Sequence, residues 1–197
     1  MFSRYTKVRK TDVMKNIFQA SEDNDMDAVA MHLRMGMDVN ARDGNGMTPL
    51  LIAAKHGNFR VAELMVREGA NIHLAKPNGN SPLYVATYWE CQDIVSFLLR
   101  VGAEVNQANN KGWTPLHAAV QDDSMELAEL LLQRGANPFA ETDKCESVLS
   151  VAAAKSTVPM VAMLLEKTQS SINVKDNFSR TLLFSASEQG QKQTVDF

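Results

Sequence analysis

The chain has 197 residues, 45% of them hydrophobic and 22% charged, a balance ordinary for a soluble globular protein. Its formal net charge is −3, without the strongly basic balance of a nucleic-acid binder, so no nucleic-acid partner is expected. No apolar run approaches the ~18 residues that a membrane span needs.

The first stretch, "MFSRYTKVRK", carries Arg4, Lys7, Arg9 and Lys10 with no apolar segment after it, so it does not read as a secretory signal. Residues 1–12 read as a basic, solvated tail. From Val13, "VMKNIFQASEDND" opens a first unit that ends in acidic residues, among them Glu22, Asp23, Asp25 and Asp27. Such a polar outer face suits a terminal cap.

A regular pattern follows. "GMTPLLIAAKHGN" starts at Gly46, "GNSPLYVATYWEC" at Gly79 and "GWTPLHAAVQDDS" at Gly112, a step of 33 residues each time. Gly36, Gly69, Gly102 and Gly135 keep the same step. "CESVLSVAAAKST", from Cys145, holds the register without the Gly or Pro. After Lys167 the register slips by one residue, and "SINVKDNFSRTLLFSASEQG" gives the pattern once more.

Each unit has a physical reading. Gly-x-Thr-Pro predicts a turn and a helix start, with Thr or Ser capping and Pro in the first helical turn. A short helix follows, as at Leu50, Leu51, Ile52, Ala53 and Ala54, with alanines that allow close packing. A turn at Gly57–Asn58 leads to a second helix with Val61, Leu64, Met65 and Val66 on its apolar face. Gly69 ends it in the left-handed cap position. Asp123 and Glu90 stand where the inter-helix Gly is expected, and Pro159 falls near a helix start, where it is tolerated. No unit buries its apolar face alone; stacked units cover one another.

The 33-residue period, "TPLH" at Thr114–His117 and the "GAEVN"-like segments resemble the ankyrin repeat. The resemblance implies an all-α solenoid of stacked helix-turn-helix units with projecting hairpin-like loops. It would run over residues 13–197, as about five repeats plus a partial sixth. It also implies that the "TPLH" histidine ties neighbouring repeats. Only His117 keeps that place; Leu51, Tyr84 and Ser150 replace it elsewhere.

Nothing in the sequence carries catalysis. His32, His56, His73 and His117 include no pair at zinc-helix spacing, and no glycine-rich phosphate loop is present. No metal or cofactor is expected. Cys91 and Cys145 read as two free thiols in a reducing compartment, hence a cytoplasmic protein, with the nucleus as alternative.

The resemblance places the partner-binding face on the exposed side of each first helix and on the loops. In register, the helix pairs are Glu22–Asp23, Lys55–His56, Tyr88–Trp89, Gln121–Asp122, Ala154–Lys155 and Glu188–Gln189. The loops add Asn80, Lys111 and Trp113 among others. Trp and Tyr are enriched where binding energy concentrates, so Tyr88, Trp89 and Trp113 are the expected anchors. Lys55, His56, Gln121, Asp122, Lys111 and Asn80 form the expected polar surround. Trp113 has loop packing as its alternative; Tyr88 and Trp89 have stacking on a neighbouring repeat.

The expected function is therefore protein–protein recognition by a monomeric module that presents a concave surface to a protein or peptide. The alternative is an N-terminal regulatory or substrate-recruiting arm of a larger enzyme or channel. The last unit stops at Phe197 before a second helix completes, so a fragment of a longer protein is expected, with a reduced terminal cap as the other reading.

Overall fold

The computed structural model describes residues 16–171, 173 and 181–188. The basic stretch 1–12, Val13 and the end of the last unit lie outside them. Eleven helices follow one another among the described residues. They are α1 (Ile17–Glu22), α2 (Met26–Arg34), α3 (Pro49–His56), α4 (Phe59–Arg67), α5 (Pro82–Tyr88), α6 (Gln92–Arg100), α7 (Pro115–Gln121), α8 (Met125–Gln133), α9 (Val148–Lys155), α10 (Val158–Thr168) and α11 (Leu182–Glu188). They make five helix pairs and a single eleventh helix. The described residues hold no strand; one isolated antiparallel bridge joins Glu141 and Ser147 in a loop.

The start of each first helix follows from its cap. Thr48, Ser81, Thr114 and Ser147 sit in extended backbone, and their hydroxyls accept the N–H of Leu51, Tyr84, His117 and Ser150 at 3.2–3.4 Å. Pro49, Pro82 and Pro115 then fill the first turn, where the missing N–H costs nothing. The first helices α1, α3, α5, α7, α9 and α11 pack in succession, each against the next. Ala53, Ala54, Ala86, Ala118, Ala119, Ala152 and Ala153 are all buried between them. Small side chains let these backbones approach closely.

The second helices form an outer layer. Val61, Met65, Ile94, Leu98, Leu127, Leu131, Met160 and Leu164 turn inward and are buried. Phe59 and Phe97 meet edge to face across α4 and α6, with ring centroids 5.6 Å apart. α4, α6 and α8 each have nine residues, whereas α10 has eleven. α10 begins in register and ends late, so its left-handed cap falls on Gln169 (φ 52°). The one-residue slip after Lys167 is thus absorbed by a longer helix.

The loops also stack on one another. An added Cβ on Gly79 would lie 2.6 Å from the Asn110 backbone nitrogen of the next loop. The Arg42 guanidinium reaches the Ala75 carbonyl at 2.9 Å, one repeat away, and the Asn110 amide reaches that of Pro77 at 3.0 Å. At the inter-helix turn, Asn24, Gly57, Glu90 and Asp123 share one left-handed conformation, with φ of 57°, 69°, 53° and 55°. A non-glycine residue there is strained by roughly 1–2 kcal/mol.

Asp123 offsets that strain, because its carboxylate accepts the N–H and hydroxyl of Thr157 in the next repeat at 3.0 and 3.1 Å. Glu90 is exposed at the same turn and makes no such bond among the described residues. We therefore expect Glu90→Gly to stabilise the protein by about 0.5–1 kcal/mol, the relieved strain less the added chain entropy. Asp123→Gly should give no gain. Urea denaturation of the two variants checks the contrast.

Candidate functional site

A groove of about 790 Å³ opens between the loops and the first helices of the third to sixth repeats. Asn78, Asn80, Asn109, Asn110, Lys111, Trp113, Thr142, Asp143, Lys144 and Glu146 line its loop side. Tyr84, Gln121, Ser150, Val151, Ala154, Lys155 and Ser185 line its helix side.

Asparagine and threonine side chains hold the loop wall in shape. The Asn109 carboxamide oxygen accepts the N–H of Lys111 at 2.9 Å and of Trp113 at 3.0 Å, and its nitrogen donates to Asn80 Oδ1 at 2.8 Å. Thr142 does the same work one repeat later for the N–H of Lys144 and Glu146. Much of the polar lining is therefore already hydrogen-bonded within the protein, and the groove is preformed. Lys111 and Lys144 are exposed on its rim.

The expected site residues divide into two groups. Asn80, Lys111, Trp113 and Gln121 line the groove. Lys55, His56, Tyr88, Trp89 and Asp122 form an exposed row beside it, on the last turns and caps of α3, α5 and α7. Asn80 serves the loop scaffold through Asn109. Trp113 is half-buried and packs against the core, its ring 5.5 Å from that of His117. It thus packs within the loop and still borders the groove.

Tyr88 and Trp89 are 43% and 51% exposed, high values for rings this large. Tyr88 lies parallel to Tyr84 at 6.5 Å, and Trp89 meets Tyr88 nearly at right angles at 5.6 Å. The Lys55 ammonium stands 5.8 Å from the Trp89 ring centroid. His56 pairs at 3.6 Å with Glu22 of the first repeat.

Tyr84 and Asn109 carry more of the groove than their sequence positions suggested. Tyr84 occupies the repeat-histidine place and is only 8% exposed, yet it borders the groove. Burial, then the neighbouring Tyr88 and Asp122, push its phenol up to about 12. Burial also raises the Asp122 carboxyl; a hydrogen bond from Gln121 opposes this, and the Glu90 charge adds to it.

His117 is fully buried. Its Nδ1 accepts the Thr114 N–H at 3.2 Å and lies 2.9 Å from the Thr114 hydroxyl, closing a cap within its own repeat. Nε2 has no partner in hydrogen-bond geometry. The backbone carbonyls of Glu146 and Ala140 in the next loop nevertheless favour a proton on the ring. Burial outweighs them and lowers the imidazole to about 4. The tie to the next repeat is thus weaker than the cap within its own.

Among the described residues, no group of three or more His, Cys, Asp or Glu is placed to hold a metal ion, and no helix is long and apolar enough to cross a membrane. Family models for ankyrin repeats match residues 17–109, as three copies, and residues 111–143, as one more. No curated protein matches the chain by sequence. Solved structures match in 581 chains, so the architecture is common and does not by itself select a partner. One belongs to a structure of a predatory endopeptidase from Bdellovibrio bacteriovorus in complex with an immunity protein. It is 26% identical with a TM-score of 0.81, over 92% of this chain and 95% of that one.

Two outcomes follow from this geometry. Trp89→Ala should change stability by no more than about 0.5 kcal/mol, whereas Trp113→Ala should cost ~2 kcal/mol or more, read from urea midpoints. For His117, the unfolded ring takes its proton near pH 6.5 and the folded ring near 4. Between those values the unfolded state binds more protons, so stability present above pH 6.5 is lost as pH falls toward 4. Its size is about 3 kcal/mol. His117→Leu, which copies Leu51, should remove that share of the pH dependence.

Proposed function

The chain belongs to the ankyrin repeat family, a protein–protein interaction module, and on that premise we propose that it binds a protein partner along the groove and the row beside it. The observation that carries this is the pair of large aromatic rings, Tyr88 and Trp89, held in solvent where neighbouring repeats place Lys55–His56 and Gln121–Asp122. Nothing in the core requires them there. Exposed Trp and Tyr next to a preformed groove supply contact area at low ordering cost.

The groove suits an extended segment of the partner. Trp113 and Tyr84 offer apolar surface, and Lys111 and Lys144 offer charge at the rim. The similar solved chain comes from a complex of two proteins, which supports a binding role. Binding rather than catalysis is the proposed activity.

A photo-cross-linking residue placed at Gln121 should give discrete protein adducts in an extract of the source cells. The same residue at exposed Glu63 on the outer layer should give none. Trp89→Ala should then weaken the captured partner by ~2 kcal/mol or more. Adducts from Glu63 alone, or full affinity in Trp89→Ala, would overturn the proposal.

A further inference from the structure

We propose that the Tyr88–Trp89 corner, flanked by the carboxylates of Glu90 and Asp122, seats an arginine side chain from a basic segment of the partner. This rests on the binding face proposed above and states its chemistry. Two observations at this corner support it.

The first is shape. Two aromatic planes at 82°, with centroids 5.6 Å apart, make an open corner, and both rings are roughly half exposed. A planar guanidinium can stack on one face while its edge meets the other ring. The second is charge. Glu90 and Asp122 are exposed, repulsion from the Glu90 charge helps to raise the Asp122 carboxyl, and neither has an ion-pair partner among the described residues. A single cation placed between them relieves that repulsion, and a guanidinium has donors enough for both.

One cation already stands at the corner. Lys55 places its ammonium 5.8 Å from the Trp89 ring centroid. An incoming guanidinium shares the indole with this like charge, whose repulsion the two carboxylates offset. Arginine fits better than lysine, because it is planar and less strongly hydrated. An acidic partner segment would bring its carboxylates against Glu90 and Asp122.

The test uses the full chain with uniform nitrogen-15 labelling, which resolves the indole N–H of Trp89 and of Trp113. The probes are the capped peptides acetyl-Gly-Arg-Arg-Gly-amide and acetyl-Gly-Glu-Glu-Gly-amide. The arginine peptide should shift the Trp89 indole signal saturably and leave Trp113 in place; the glutamate peptide should not. The double variant Glu90→Gln with Asp122→Asn should bind the arginine peptide about fivefold or more weakly. An unmoved Trp113 signal in that variant verifies its fold.

No Trp89 shift at about 10 mM arginine peptide, an equal shift with the glutamate peptide, or unchanged binding in the double variant would overturn the proposal. If groove cross-links from Gln121 persist in that event, the arginine seat alone falls. If those cross-links are also absent, the binding face falls with it.

Discussion

The structure depends on one constraint: a helix pair of this size cannot bury its own apolar stripe. A nine-residue helix such as α4 turns Val61, Leu64 and Met65 to one side, and only the neighbouring pairs can cover them. Stacking is therefore the condition for folding. It demands that successive first helices come close, and the buried alanines from Ala53 to Ala153 meet that demand. The loops follow, since closely stacked helices bring the hairpins within hydrogen-bonding reach of one another.

The same constraint decides which departures from the repeat are tolerated. Positions between helices change identity freely if the backbone angle is kept. Asn24, Glu90 and Asp123 all hold a glycine-like conformation. Asn58 and Asp123 add side-chain bonds across repeats, Asn58 to the Ser21 and Glu22 carbonyls and Asp123 to Thr157. In the fifth repeat the left-handed turn is lost. Ser156 is extended instead, and its hydroxyl donates to the Val120 carbonyl. Different side chains thus supply equivalent links between neighbours.

Much of this was legible in the sequence. The 33-residue step, the Thr/Ser-Pro helix starts and the inter-helix turns all depend on local chemistry that a sequence displays. The exposed state of Tyr88 and Trp89 was also legible, because register aligned them with charged residues in adjacent units. Other features were not. Trp113 is half-buried because the first turn of the helix that follows it brings the His117 ring within 5.5 Å of the indole, which spacing alone does not decide. Tyr84 borders the groove from a buried helix position, and Asn109 shapes the loop wall through three hydrogen bonds. Both roles arise from the packing of separate repeats. The longer α10 was visible only as a one-residue slip.

The row beside the groove has a consequence for registration. A stack of identical repeats offers the same contacts every repeat, so a ligand bound along it has several nearly degenerate positions. Here the successive pairs are Lys55–His56, Tyr88–Trp89, Gln121–Asp122 and Ala154–Lys155. No two neighbours are alike in size or charge. Sliding by one repeat trades a cation for an aromatic corner, or that corner for an amide and a carboxylate. The row therefore changes in size and charge from one repeat to the next, while the scaffold beneath stays periodic.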